Sequence, residues 1–245
     1  MTMGIKKAIA TVANSLLHSL GAELVPYSTT KPWDEYFTKW IAEAEKSGQD
    51  PNDVGDVDWN DSLEKALERN YLPYIKPDSV VLELGPGSGR LTRHIIGRCR
   101  EMILVDYSQI VCDWLEKYLK GRGNYVIQRI DKPSLVAVAG SSVDTIIANG
   151  VFEHIDMDDL FCFLEEFSRV LKPGGVVSFN FDNIMSEGGL DWFKQYRGEP
   201  GSRCIFRFYH PESIQILAEE LGLRVLDLNA NHGRIAHVIL QKPLG

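Results

Sequence analysis

Cysteine is scarce in this chain, and no two cysteines are close together. The four of them lie far apart among 245 residues, at Cys99, Cys112, Cys162 and Cys204. A structural zinc site uses thiolates a few residues apart, and a disulfide framework needs a denser set of cysteines. The spacing supports neither, and it predicts free thiols in a reducing cytoplasm and no metal site.

A surplus of positive charge is also missing. Lys and Arg total 26 against 34 Asp and Glu, which gives a formal net charge of −8. Nucleic acid would meet a repulsive average field, and no local stripe of basic residues offsets it. We therefore expect no nucleic-acid partner.

Long apolar runs are absent as well, since none approaches the roughly 18 residues needed to span a bilayer. The apolar segment after Lys6 and Lys7 is interrupted by polar residues such as Thr11 and Asn14, unlike a secretory signal. These features predict a cytoplasmic protein without integral membrane association.

The most informative segment that is present covers residues 81–90, with the sequence VLELGPGSGR. An apolar strand containing one acid, Glu83, runs into a turn in which three alternate residues are glycines. Because glycine lacks Cβ, such a turn adopts positive φ and brings backbone amides close to a nucleotide-like ligand. The next apolar strand, residues 102–106, ends in Asp106, where the ribose diol of an adenosine ligand is bound. Residues 81–106 thus predict an adenosine site.

The order of these residues disfavours a nicotinamide dinucleotide. A pyrophosphate-binding turn carries its third glycine one place later, where this chain has Arg90. The carboxylate of Glu83 would repel pyrophosphate, whereas it would attract a ligand with ammonium and sulfonium charges.

Residues 81–106 resemble the first motif of class I S-adenosylmethionine-dependent methyltransferases. The resemblance implies S-adenosylmethionine as the cofactor, with Glu83 at the amino end of its methionine moiety and Asp106 at its ribose. It also assigns further residues of the turn and of the second strand's end to the cofactor site: Gly85, Pro86, Gly87, Ser88, Gly89 and Tyr107.

Three later motifs follow in the order of that family, so that the resemblance covers residues 62–242. Residues 128–131 are similar to the end of the third strand, which implies that Asp131 lies beside the adenine. Residues 142–155 are similar to the fourth strand and its active-site loop, which implies that Asn149 and Gly150 contact the cofactor. Residues 171–175 match the turn before the fifth strand.

Strand and helix patterns alternate from residue 79 onward, which favours a doubly wound sheet covered by helices on both faces. The last two strand patterns, 223–228 and 234–241, are joined by a segment too short for a crossover, so they must be antiparallel. The predicted fold is α/β, a mostly parallel seven-stranded sheet with the last strand antiparallel, as in Rossmann-like methyltransferases. The hairpin loop then lies at the ligand edge, with Asn231, His232 and Arg234 as substrate neighbours.

Methyl transfer to oxygen requires removal of a proton from the acceptor, and histidine suits this task near neutral pH. His154 is the first candidate for the base, because it lies in a loop that resembles the Glu-His-Ile segment of small-molecule methyltransferases. A structural role near the start of the next helix is the alternative. His232, in the hairpin loop, is the second candidate.

Two segments lie outside the resemblance. Residues 1–60 predict an N-terminal helical extension or lid, with a helix at 33–46, on a methyltransferase domain that covers residues 61–245. Residues 182–209 form an insert where the family covers its acceptor. They combine aromatic residues with arginines, and either contact the acceptor or pack on themselves.

The acceptor implied by the resemblance is a small molecule methylated on a hydroxyl group, of the sugar or glycan kind. Nitrogen or carbon methylation, and cofactor binding without turnover, are alternatives. The segment Asn149-Gly150-Val151-Phe152 lacks the two prolines of enzymes that methylate base amino groups. The acids from Asp156 onward come too late for a metal-dependent catechol site.

Overall fold

The computed structural model describes residues 31–51, 63–197, 206–230 and 233–244. Helix α1 (Lys31–Ser47) covers the helix predicted at 33–46, whereas residues 1–30 of the predicted N-terminal extension lie outside the described residues. A second segment begins as α2 (Leu63–Ala66), becomes π-helical over Leu67–Tyr71 and ends as a 3₁₀ turn, Leu72–Tyr74. The other helices are α3 (Thr92–Ile95), α4 (Gln109–Tyr118), α5 (Met157–Val170), α6 (Glu187–Tyr196) and α7 (Pro211–Glu220).

The described strands form one sheet. They are β1 (Val80–Leu84), β2 (Glu101–Asp106), β3 (Tyr125–Arg129), β4 (Val143–Ala148), β5 (Leu171–Asn183), β6 (Phe208–Tyr209), β7 (Arg224–Asn229) and β8 (Ile235–Gln241). Seven follow the order β3-β2-β1-β4-β5-β8-β7, and the short β6 pairs with β5 off this path.

All neighbours on this path are parallel except where β8 runs antiparallel to β5 and to β7. The predicted sheet with an antiparallel last strand is confirmed, and only the two-residue β6 is unanticipated. From β1 the chain proceeds outward through β2 and β3, then returns to β4 on the other side of β1. Such a change of direction opens a crevice at the carboxyl ends of β1 and β4.

Strand β1 is buried on both faces, as expected for a parallel sheet covered by helices. Leu82 and Leu84 belong to an apolar cluster with α5, while Val81 belongs to a second cluster with α4 on the opposite face. Because side chains alternate along a strand, Glu83 shares the face of Val81. Helix α5 packs on the sheet through an apolar stripe of fully buried side chains: Leu160, Phe163, Leu164, Phe167 and Val170.

Two elements depart from a regular alternation of strands and helices. Between β1 and β2 only α3 is α-helical, because Gly89 at φ +90° keeps the chain in a turn and Gly97 has low helix propensity. Strand β5 begins at Leu171, within the segment that the family resemblance assigns to the turn before the fifth strand, because Leu171 pairs with Val143 ahead of a register shift in the ladder.

Among the described helices, none has the length and apolar character needed to cross a membrane. Cys99, Cys112 and Cys162 are free thiols, and Cys204 lies outside the described residues. Within the described part of the chain, no group of three or more His, Cys, Asp or Glu side chains is arranged to hold a metal ion.

Candidate active site

A cavity of about 400 Å³ opens at the carboxyl ends of β1, β2 and β4. This volume is typical of a small-molecule site, about 300–1,000 Å³. The floor consists of the strand ends and the glycine turn after β1, and α1 covers one side. The rest of the wall is formed by residues 149–151 and 153–155, by Trp192 and Phe206, and by Arg234 just before β8. The cavity therefore lies where the strand order predicts a ligand.

The glycine turn takes the positive φ angles that its sequence predicts. Gly85 and Gly87 have φ of +65° and +54°, and both line the cavity together with Pro86 and Ser88. A Cβ on Gly85 would approach Val151 Cγ2 to 2.5 Å, so the close contact between the turn and the loop after β4 requires glycine there. A Cβ on Gly87 would meet nothing within 4 Å, which leaves that backbone open to a ligand.

Gly89 does not line the cavity. It has φ of +90°, and a Cβ there would lie 3.2 Å from the ring of Tyr118 in α4. The third glycine thus serves the packing of the turn against α4, and its assignment to the cofactor site stays a prediction.

Glu83 is a buried carboxylate at the end of β1, with 2% of its surface exposed. Its Oε2 accepts a hydrogen bond of 2.7 Å from the Thr92 hydroxyl at the start of α3. Burial raises the pKa of Glu83 to about 7, because the charged form loses hydration, although the Thr92 hydrogen bond and nearby Arg90 act in the opposite direction. A cationic ligand group in the cavity would restore the ionised form.

Asp106 ends β2 on the same side of the sheet. Its Oδ1 accepts a hydrogen bond of 2.8 Å from the Ser108 amide, and the backbone amides of Gly87 and Tyr107 also bond to it. Burial nevertheless raises its pKa to about 6, with a further contribution from the charge of Asp34. The Ser108 hydroxyl donates to Asp34, which attaches α1 to the end of β2.

Asn149 and Gly150 follow β4 and line the cavity. The Tyr71 hydroxyl donates to Asn149 Oδ1 at 2.9 Å, so the π-helical segment fixes this amide. The Gly150 amide donates to Asn180 Oδ1 of β5 at 2.8 Å. These bonds hold the first residues of the loop against the sheet.

Of the other predicted cofactor residues, one lines the cavity and one does not. Tyr107 lines the cavity and packs edge-on against Phe163, with ring centroids 6.3 Å apart. Asp131 is exposed and is not among the residues that line the cavity. The preceding residue, Ile130, packs against the core, so the next side chain faces solvent. His232 and Asn231 lie outside the described residues.

His154 lines the cavity at the end of a 3₁₀ turn, Phe152–His154. Its Nε2 lies 3.4 Å from Glu153 Oε1, and its ring meets that of Trp33 at a centroid distance of 4.5 Å. Glu153 is buried, with 8% of its surface exposed. Burial would raise the pKa of Glu153, but the His154 contact and the positive charges of Arg234 and Arg90 outweigh it, and the pKa is lowered.

Arg234 lies in the hairpin region and lines the cavity, as the predicted direction of the last strands requires. Its guanidinium donates two hydrogen bonds to Asp182, from Nε to Oδ1 at 2.7 Å and from Nη2 to Oδ2 at 3.2 Å. It also lies over the ring of Trp192, 4.0 Å from the centroid. Burial raises the pKa of Asp182 to about 6, with Glu153 adding to the shift and Arg234 opposing it.

Sequence reasoning missed three groups that line the cavity. Glu153 belongs to the Glu-His-Ile segment, but the resemblance implies no role for it. The helix predicted at 33–46 carries no signal that connects it with the site, although aromatic residues of α1 line the cavity: Trp33, Tyr36, Phe37 and Trp40. Asp182 could not be assigned as the partner of Arg234, because 52 residues separate the two along the chain.

Comparison with known proteins identifies the domain. Residues 82–179 match a family model described as a methyltransferase domain. An S-adenosylmethionine-dependent methyltransferase from Methanosarcina mazei superposes with a TM-score of 0.60 at 16% identity, covering 71% of this chain and 96% of that one. An S-adenosylmethionine-dependent methyltransferase from Archaeoglobus fulgidus superposes with a TM-score of 0.58 at 18% identity, covering 83% of this chain and 99% of that one. An S-adenosylmethionine-dependent methyltransferase from Aquifex aeolicus superposes with a TM-score of 0.56 at 17% identity, covering 81% of this chain and 97% of that one.

Residues 82–179 therefore form a methyltransferase domain, and the described fold is that of S-adenosylmethionine-dependent methyltransferases, which implies S-adenosylmethionine as the cofactor. The residues present fit this cofactor. The buried carboxylate of Glu83 suits an ammonium group, and the carboxylate of Asp106 suits a ribose diol. The open backbone at Gly87 provides the close approach that a nucleoside requires.

Proposed function

We propose that this protein transfers a methyl group to a hydroxyl oxygen of a small-molecule acceptor. The observation that carries the proposal is the pair of His154 and Glu153, which lines the same cavity as the glycine turn and Asp106. A histidine beside an ionised carboxylate can accept a proton and be stabilised as an imidazolium. A hydroxyl acceptor needs such a base because its proton must leave as the new bond forms.

The cofactor-binding half of the cavity is assigned to Glu83, Asp106 and the glycine turn. Glu83 binds the ammonium group, Asp106 accepts hydrogen bonds from the ribose hydroxyls, and Asn149 and Gly150 contact the methionine portion. When bound, the cofactor supplies an electrophilic methyl group on a sulfonium. Asp131 and Gly89 receive no part in this assignment, because neither lines the cavity.

The acceptor-binding half is assigned to the loop after β4, Arg234 and two covering segments. Helix α1 contributes Trp33 and Tyr36, and the insert at 182–209 contributes Trp192 and Phe206. Aromatic walls exclude water and offer flat faces to a ring. The net charge of −8 and the enclosed aromatic surroundings favour a small molecule over a nucleic acid.

The experiment that tests this function uses S-adenosylmethionine labelled in its methyl group and a panel of neutral hydroxylated acceptors, including simple sugars and phenols. We expect label in an ether product together with one equivalent of S-adenosylhomocysteine. Label on nitrogen or carbon would contradict the hydroxyl assignment. Binding of the cofactor without any labelled product from this panel or from an extract of small metabolites would contradict the catalytic assignment.

Affinity for S-adenosylhomocysteine is expected to fall as the pH decreases through 7. Burial raises the pKa of Glu83 to about 7, and only the ionised carboxylate attracts the ligand's ammonium, so binding requires loss of the Glu83 proton below that pH. Affinity should drop roughly tenfold between pH 8 and pH 6 in a calorimetric titration, since each pH unit below a pKa lowers the ionised fraction about tenfold.

Glu83→Gln is the matched control for this pH dependence. The variant cannot ionise, so it should bind weakly and lose most of the change between pH 8 and pH 6. An unchanged slope in this variant would assign the dependence to another group.

A further inference from the structure

Two buried polar atoms at the acceptor side of the cavity have no hydrogen-bond partner among the described residues. They are the carboxylate oxygen Glu153 Oε2, an acceptor, and the indole nitrogen Trp192 Nε1, a donor. Both residues line the cavity. Buried polar atoms are nearly always paired, so two such atoms beside one cavity indicate a ligand group that bonds to them.

Both atoms flank the guanidinium of Arg234. Glu153 Oε2 lies 3.9 Å from Arg234 Nη2, beyond hydrogen-bond distance, and the Trp192 ring lies under the guanidinium at 4.0 Å. Arg234 also lies 5.4 Å from the centroid of the Phe206 ring, and Asp182 occupies two of its donors. The arginine is therefore held in place between the two aromatic rings and a carboxylate.

This arrangement selects the chemistry of the ligand group. A carboxylate ligand could accept from Trp192, but it would meet the ionised Glu153 and an arginine already engaged by Asp182. An ammonium ligand could donate to Glu153, but it offers nothing to the indole N–H, and Arg234 already lies over the Trp192 ring. Of these three groups only a hydroxyl both donates and accepts, so it can bond to both atoms.

Glu153 also fixes where this hydroxyl lies relative to the reacting one. Its other oxygen, Oε1, is 3.4 Å from His154 Nε2, the side chain assigned to proton removal. Groups bound by neighbouring atoms of one carboxylate and histidine pair must be close together on the acceptor. We infer that the acceptor is a neutral ring compound with two adjacent hydroxyl groups, of which one reacts near His154 and the other binds Glu153 and Trp192. This inference rests on the proposed function.

The test measures binding to protein saturated with S-adenosylhomocysteine, so that no methyl transfer takes place. The probes are two matched pairs, catechol with phenol and cis-cyclohexane-1,2-diol with cyclohexanol, which separate an aromatic source of the diol from a sugar-like one. Calorimetry should show that at least one diol binds about tenfold more tightly than its single-hydroxyl partner, as expected for one hydrogen bond to a charged group. Charged analogues, 2-hydroxybenzoate and 2-hydroxybenzylamine, should bind more weakly than catechol.

Three variants test the residues. Glu153→Gln and Trp192→Phe should each reduce the preference for the diol to within about threefold, because each removes one of the two partners. Glu212→Gln alters an exposed glutamate of α7 outside the cavity lining and should retain the preference. Titration with S-adenosylhomocysteine verifies that every variant is folded.

Any one of four results would overturn the inference. Three of these are equal binding of diols and single alcohols, tighter binding of a charged analogue, and a preference that survives Glu153→Gln. Absence of binding by both diols to protein that binds S-adenosylhomocysteine would also reject it. Because these readouts need no turnover, they are separate from the labelled-product assay, which alone decides between methylation at oxygen and at other atoms.

Discussion

The variant Asp106→Ala is expected to bind S-adenosylhomocysteine roughly 100-fold more weakly than the wild-type protein, or worse. The two ribose hydroxyls would lose a shared carboxylate, and a hydrogen bond to a charged group contributes about 1.5–3 kcal/mol. The carboxylate is already oriented by the amides of Ser108 and Gly87, so it needs no rearrangement to accept them. Calorimetric titration at pH 8, where Asp106 is ionised, gives the two dissociation constants.

Asp131→Ala is the matched control, because the family resemblance places this second acid beside the adenine. The exposed position of Asp131, outside the cavity lining, predicts an affinity within about threefold of wild type. A large loss in Asp131→Ala together with a small loss in Asp106→Ala would reverse the assignment of the ligand to these strand ends. Thermal unfolding of both variants shows whether either change acts on the fold.

The variant His154→Ala is expected to slow methyl transfer by about 10²- to 10⁴-fold, the usual contribution of a positioned general base. Binding of S-adenosylhomocysteine should change little, because His154 contacts Glu153 and Trp33 instead of the glycine turn. Turnover of the acceptor found in the labelled-product assay is measured at saturating cofactor.

The control for His154→Ala is His94→Ala, which alters an exposed histidine of α3 outside the cavity lining and should leave turnover unchanged. If His154 served only the structure, its replacement would lower the free energy of unfolding and leave turnover per folded molecule intact. That outcome would remove His154 from the reaction and turn attention to the hairpin loop, where His232 is the remaining candidate.

The sequence predicted those parts of the protein that depend on residues close together along the chain. The glycine turn consists of consecutive residues, and its positive φ angles follow from the absence of Cβ at Gly85 and Gly87. Asp106 was placed correctly at a strand end because strand β2 is a short apolar run with a clear end. The antiparallel β8 followed from the short connection before it, which leaves no length for a crossover.

The parts that escaped prediction depend on contacts between distant segments. The pairing of Arg234 with Asp182 arises only because β8 lies beside β5 in the sheet. The position of α1 over the cavity depends on the bond between Asp34 and Ser108, which are 74 residues apart. A family motif gives the place of Asp131 along the chain but not the direction of its side chain, which is exposed, so its assignment to the adenine stays a prediction.

Calorimetric titration of S-adenosylhomocysteine into the wild-type protein tests the central claim most directly, with NAD as the comparison ligand. The cavity between Glu83 and Asp106 predicts saturable one-to-one binding of S-adenosylhomocysteine and no measurable heat from NAD. Heat from NAD together with none from S-adenosylhomocysteine would contradict the account.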